Sequence, residues 1–550
     1  MHLVTDNLLT SQPKGRSRTA RFSVSLLLLS IPSFAAAQAG AVFSSPVSEN
    51  PSREIKADVA TPRVPLDQSF RFSVGSGHAG LMLRTANLEQ LREIQKVIAF
   101  RYIRFHGIFD EDMRPVAYRD GVAIYDWSRI DSLYDALLAL HIKPIVELSF
   151  MPKALASGST TIFFWNANVT PPLDLNKWSS LVRCFVDHLI GRYGRAEVES
   201  WFFEVWNEPN YPGFWPDADQ ARYFALYDAT APAIKREDER LQVGGPATAG
   251  AAWIADFLEH AHSSRVPVDF VSTHTYGVES GFLDADGKAD LVLSTDPDAI
   301  QGDVRKVHEQ ILASAYPKLP LLITEWSSSY SSRDPVHDSY TQAAFILEKL
   351  KTTAGLTRAM SYWTYSDLFE ENGPPPSAFH GGFGLLSRDG IPKCSFFAYK
   401  YMAELYPQEI PTNDARATVT EQSGSIRALI WDYSPLAQSS GNKTFYRQLR
   451  PSTSSRPATL VLSHLASGTY NVTVHRTGYR ANDAYSSYID LGLPIDLSSK
   501  QLHQLKTATA DLAEKQTSAV VGTNGTLRIS VAMRSNDVVL LAVDRKASNR

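Results

Sequence analysis

Cysteine is nearly missing from the chain: 550 residues contain only Cys184 and Cys394. One disulfide is the most this pair can form, which excludes a cysteine-stapled scaffold and a thiolate metal cluster. Cys184 falls within a helical pattern and Cys394 begins another, so both are expected to be buried free thiols. Excess positive charge is missing too. With 54 Lys and Arg against 58 Asp and Glu the formal net charge is −4, and no basic cluster follows the first 39 residues. Nucleic acid and anionic membranes are therefore not expected partners. Beyond residue 39 no apolar run is long enough to cross a bilayer of about 30 Å. There is no Gly-rich phosphate loop after the first apolar run, no HExxH and no Ser-His-Asp nucleophile motif. Neither a metal nor a cofactor is expected. No internal repeat is visible.

What is present begins with a leader. Lys14, Arg16, Arg18 and Arg21 precede an apolar run over 22–34, followed by Ala35-Ala36-Ala37-Gln38-Ala39. A basic start, a short apolar stretch and small residues predict an export signal over 1–39, and hence a secreted or periplasmic protein. Residues 40–62 read as a linker.

From 63 to 405, short apolar runs alternate with longer amphipathic stretches. Strands are expected at 79–82, 102–104, 144–148, 202–205, 242–244, 270–273, 321–324 and 359–362. Helices are expected at 88–98, 130–140, 178–193, 221–236, 304–314 and 340–354. Runs that are apolar throughout suit parallel strands covered on both faces, and eight of them favour a (β/α)8 TIM barrel over an open doubly wound sheet. After Tyr406 the helical patterns give way to alternating β-branched runs separated by Ser/Gly/Asn/Pro-rich breaks, which predicts a β-sandwich over 406–550. Residues 63–74 also alternate and could lend that sandwich a strand. The expected fold is thus α/β, a TIM barrel followed by a C-terminal β-sandwich domain.

Two of the apolar runs end in acid. Phe202-Phe203-Glu204-Val205-Trp206-Asn207-Glu208-Pro209 passes straight from strand to polar cluster, and Leu321-Leu322-Ile323-Thr324-Glu325-Trp326 does the same. In a barrel these are the carboxyl ends of strands four and seven, where active sites are built. A carboxylate buried there without a role would be costly. Two carboxylates at one barrel mouth are what glycoside hydrolysis needs: one protonated to assist the leaving oxygen, one ionised to attack. Glu204 lies four residues deeper than Glu208 and reads as a structural acid facing Arg104.

The motifs Tyr102-Ile103-Arg104-Phe105-His106-Gly107, Phe150-Met151-Pro152, Phe203 to Asn210, Gly244-Gly245-Pro246-Ala247, Ser272-Thr273-His274-Thr275-Tyr276, Thr324-Glu325-Trp326, Phe369-Glu370-Glu371 and Phe379 to Leu385 occur in order across the barrel. In them the chain resembles glycoside hydrolase family 39, which holds β-xylosidases and α-L-iduronidases. The resemblance implies Glu208 as general acid/base and Glu325 as nucleophile, with Asn207 on the sugar 2-hydroxyl and Tyr276 donating to Glu325. It further implies His106 and His274 lining the pocket of the terminal sugar, and Glu371 and Glu370 accepting from its hydroxyls. Trp206, Phe214, Trp215, Trp326, Trp363 and Phe383 are candidates for stacking on sugar, with Phe150 and Trp165 in the same class. The implied activity is removal of terminal β-D-xylose from xylo-oligosaccharides with retention. The alternatives are another sugar such as α-L-iduronide, and a non-catalytic carbohydrate-binding protein. A homo-oligomer is consistent with the family.

Overall fold

The computed structural model describes residues 52–283 and 289–546. The leader expected at 1–39 lies outside them. Eight parallel strands close into a barrel in chain order: Ser73–His78, Tyr102–His106, Lys143–Leu148, Phe202–Val205, Gln242–Thr248, Phe270–Tyr276, Leu321–Ser327 and Ala359–Tyr362. The ring is sealed where Tyr362 of the eighth strand pairs with Val74 of the first. Around it run the helices Thr85–Val97, Ser128–Ala139, Leu175–Tyr193, Gln220–Glu237, Ile254–Ser264, Gln301–Ala313 and Gln342–Thr353, with Cys394–Ala403 after the last strand. Strands four and seven are the ones that carry Glu208 and Glu325 at their ends.

The first strand was expected at 79–82, but those residues form a helical turn and the strand is Ser73–His78. Its sequence, Ser-Val-Gly-Ser-Gly-His, lacks the apolar signature because it must be thin. A Cβ on Gly75 would stand 2.2 Å from Cε3 of Trp363. The floor of the barrel interior is apolar: Phe72, Tyr102, Ile145, Phe202, Phe270, Leu322 and Ala359 form one buried cluster at the amino ends of the strands. This plug fixes which residues face inward, and therefore what the mouth above it can contain.

The C-terminal part is a sandwich. One sheet has seven strands in the spatial order Val64–Pro65, Gln408–Ile410, Ala417–Gln422, Ser425–Trp431, Val538–Arg545, Gly468–Thr477 and Lys515–Val521. The other has three, Arg53–Asp58, Ser454–Ser463 and Leu527–Arg534. Ile55, Val419, Ile426, Leu460, Val472 and Val543 belong to the core between them. The short Val64–Pro65 strand comes from the alternating segment before the barrel. Residues 53–58, read as linker, are instead a strand, paired parallel with 458–463. The charged sequence Arg-Glu-Ile-Lys-Ala-Asp hid it, because only Ile55 and Ala57 point into the core.

Sandwich and barrel share a packed boundary. Trp431 donates its indole N–H to Glu348 on the helix Gln342–Thr353 at 3.0 Å, and Arg416 grips the same carboxylate at 3.0 and 3.1 Å. Both cysteines are free, but Cys184 is exposed rather than buried, on the outer face of its helix. Among the described residues no helix is long and apolar enough to cross a membrane.

Candidate active site

Above the apolar plug the barrel interior turns abruptly charged. Arg104 on the second strand is fully buried, and its guanidinium is shared among four groups. Nε donates to Glu204 at 2.6 Å, Nη1 to Glu325 at 2.6 Å and Nη2 to the Asn207 side-chain oxygen at 2.9 Å; Glu147 lies 2.7 Å away. Burial opposes its charge, but Glu147, Glu204 and Glu325 outweigh that and hold it cationic. Only a planar fork of five donors can address so many acceptors at once.

Backbone irregularities bring the two glutamates over this hub. In the fourth strand Phe202 and Glu204 face inward by ordinary alternation. Alternation would next turn Trp206 inward and Asn207 outward. Instead Trp206 adopts φ +71° and joins the outer core, so Asn207 reaches Arg104 and Glu208, at φ +43°, enters the mouth. Such left-handed non-glycine residues store strain, which here sets side-chain direction. The Glu208 amide anchors the turn on the Ala247 carbonyl at 2.8 Å. In the seventh strand Leu322 and Thr324 face inward, Thr324 donating to Glu204 at 2.8 Å. A bulge then matches Thr273 with Ile323 but His274 with Glu325, so Glu325 faces inward as well.

Around Glu325 the donors are fixed: Arg104 on one oxygen and the Tyr276 hydroxyl on the other, at 2.7 Å. Glu208 Oε1 lies 2.8 Å from His274 Nδ1, which is 3.6 Å from Glu325 Oε2. One oxygen of each glutamate and a ring nitrogen of His274 all lie within 4.8 Å of one another. Burial pushes the Glu208 carboxyl up to about 7, with Arg104 and His106 opposing part of the rise. Burial also pulls His274 down to about 4, which keeps the imidazole neutral. For His106 burial pulls downward too, but Glu147 at 2.9 Å wins and raises it to about 9. His106 is therefore a cation, with Nε2 3.9 Å from both Glu325 and Glu371. Burial lifts Glu371 to about 8, eased by that histidine.

Glu208, Glu325, Asn207, His106, His274, Tyr276 and Glu371 thus meet at one mouth. Four expected contacts do not. Glu370 is locked in a bidentate pair with Arg84 at 2.6 and 2.9 Å and serves the loop. Trp326 follows the bulge, so its ring turns outward and packs edge-on against Tyr362, 5.7 Å away, with no exposed surface. Trp206 and Trp215 are likewise core. Trp363 does reach the site, its ring 5.0 Å from His106 and 5.7 Å from the Arg104 guanidinium, as a wall with 1% exposure. Phe383 backs it in the same small cluster. Phe150 and Trp165 continue the wall through Phe163, whose ring stands 5.7 Å from His106 and 4.6 Å from Trp165.

Glu147 and Phe163 were not anticipated. For Glu147 the signal existed, since Lys-Pro-Ile-Val-Glu-Leu is again an apolar run carrying one acid near its end. Among the described residues only Glu208, His274 and Glu325 offer three clustered metal-ligand atoms. Both oxygens of Glu325 are already engaged there by Arg104 and Tyr276, so the donor set suits a sugar better than an ion.

A closed (β/α)8 barrel with two mouth carboxylates whose facing oxygens lie within 4.8 Å of each other has the close arrangement of a retaining glycosidase, about 5–5.5 Å between carboxyl groups, rather than the wider inverting one. The chain matches the family model of glycosyl hydrolases family 39 over residues 53–526 and belongs to that family. It is 37% identical over 489 residues to a beta-xylosidase of Geobacillus stearothermophilus, covering 87% of this chain and 93% of that one. The crystal structure of a monomeric beta-xylosidase from Caulobacter crescentus CB15 superposes with a TM-score of 0.88 at 48% identity, covering 90% of this chain and all of the other. Human alpha-L-iduronidase matches at 28% identity over only 28% of this chain and 24% of its own length.

Proposed function

We propose that the protein is a retaining β-xylosidase that removes the terminal xylose of xylo-oligosaccharides, with Glu208 as acid/base and Glu325 as nucleophile. The observation that carries this reading is the contrast between the two carboxyls. Glu208 is raised to about 7 by burial and holds a proton to give, whereas Glu325 accepts from Arg104 and Tyr276 as an attacking anion would. In the first step Glu325 attacks the anomeric carbon as the glycosidic bond breaks, and Glu208 protonates the departing oxygen. In the second, Glu208 takes a proton from water, whose oxygen displaces Glu325 and restores the original configuration. Asn207, oriented by Arg104, is poised for the sugar 2-hydroxyl.

The pocket chemistry supports a neutral sugar. A uronate carboxylate would meet Glu208, Glu325 and Glu371, while Arg104 is sealed below and the charge of His106 is already shared among Glu147, Glu325 and Glu371. The test is a panel of aryl glycosides followed by NMR of the first-formed sugar. β-Xylose released from xyloside is expected. Turnover of iduronide but not xyloside, or α-xylose released first, would overturn the assignment, and no turnover of any glycoside would favour a binding protein. The leader at 1–39 supports export; a native protein that keeps it and stays in the cytoplasm would refute that part.

A further inference from the structure

Among the described residues most aromatic rings are buried or half-buried, which makes the exceptions informative. Among the described residues three aromatic side chains are more than half exposed: Phe164 at 57%, Tyr211 at 54% and Tyr330 at 56%. All three stand on loops that follow barrel strands of the site, the third, fourth and seventh. A ring left in water at a sugar site has an obvious use, because an apolar face stacks on the C–H face of a pyranose.

The two tyrosines are each tied to one of the glutamates. The Tyr211 amide donates to the Glu208 carbonyl at 3.0 Å. Its ring lies over its own turn, where a Cβ on Gly213 would come within 2.7 Å of it, and 5.8 Å from Phe214. Tyr330 stands edge-on to Tyr276 at 6.2 Å, and Tyr276 donates to Glu325. Burial, and after it Tyr211, raises the Tyr330 hydroxyl.

Direction follows from the chemistry. The acid must face the leaving oxygen, so the rest of the substrate departs on the side of Glu208, where Tyr211 stands. On the other side the pocket of the terminal sugar is lined by Glu371, His106 and Trp363. Phe164 belongs with Glu371 on that side, its amide donating to the Glu371 carbonyl at 2.9 Å and its ring 3.3 Å from a Cβ built on Gly373.

We propose that Tyr211 and Tyr330 together form the platform for the leaving-group sugar, a neutral pyranose linked to the terminal xylose. This rests on the xylosidase reading above. The test compares kcat/KM for xylobiose with kcat/KM for methyl β-xyloside, whose leaving group has no ring. In the full-length protein, Tyr211→Ala and Tyr330→Ala are each expected to lower that ratio roughly tenfold, whereas Tyr211→Phe and Tyr330→Phe, which keep the ring, preserve it. Transfer of xylose onto an added xylose acceptor should fall in the same two alanine variants, because the acceptor uses the same platform. An unchanged ratio overturns the proposal, as does an equal loss on both substrates or a fall seen only in Phe164→Ala. If the wild type cleaves neither xyloside, it is the xylosidase reading that fails.

Discussion

Replacing Glu208 by Gln removes one proton while keeping the shape of the side chain and a partner for His274. In the native protein burial raises this carboxyl to about 7. It is then about 90% protonated at pH 6 and about 10% at pH 8, each pH unit above the midpoint removing roughly tenfold of the acid form. The kcat/KM for xylobiose should fall with that slope above pH 7. A positioned acid contributes about 10²- to 10⁴-fold, so Glu208→Gln should lose that much on xylobiose. On dinitrophenyl β-xyloside, whose leaving group departs without a proton, kcat/KM should fall by less than about tenfold and lose its basic limb. The assay is initial rates on both substrates from pH 5 to 9. Equal losses on the two would refute the assignment of Glu208 as acid. A basic limb that survives near pH 8 in the variant would move the controlling group to Glu371, which burial lifts to about 8.

Tyr276→Phe removes one donor to the Glu325 carboxylate, an interaction worth roughly 1.5–3 kcal/mol, so kcat should drop about 10- to 150-fold with little change in Tm. A loss below about threefold would exclude a role in holding the nucleophile. Trp326→Phe should destabilise by about 1–3 kcal/mol in denaturant titration while KM stays within about twofold, because the ring is buried behind the barrel wall. A raised KM at unchanged stability would return it to the site. Stability itself should decline between pH 6.5 and 9. Asp110 and Glu208, raised by burial to about 7, and Glu371, to about 8, keep protons that the unfolded chain has already lost; His106, held at about 9 by Glu147 against burial, does likewise. The folded form then binds more protons than the unfolded one, so each contribution fades as pH rises through those values. A Tm that climbs across this window would contradict the burial of these groups.

Much of this was legible beforehand. Seven of the eight barrel strands announce themselves as apolar runs, and acids at the ends of two of them mark the mouth. At the mouth the failures share a cause, which is that alternation counts residues and cannot see a backbone that skips one. Trp326 was expected to stack on the sugar, yet the bulge that turns Glu325 inward turns Trp326 out. Glu204 and Glu208 do not simply share a strand face; a left-handed residue intervenes. Ser73–His78 went unnoticed because the Trp363 ring leaves no room for side chains, and Arg53–Asp58 because a strand at the edge of a sheet is free to carry charge. The pairing of Arg104 with Glu204 was legible, but its role as a hub was not, since its further contacts Asn207 and Glu325 lie more than a hundred residues away along the chain.

The strand Arg53–Asp58 also constrains the order in which this molecule can be made. It emerges from the ribosome before any barrel strand, yet its neighbour 458–463 is synthesised some 400 residues later. Until then it must wait without a partner, while the whole barrel has time to close between the two halves of the sheet. A fragment beginning at 406 would lack an edge of its own sandwich, and one ending at 405 would carry an orphaned strand at its front. The two parts, distinct in architecture, are therefore not separable pieces: the chain's last quarter completes a structure that its first described strand began.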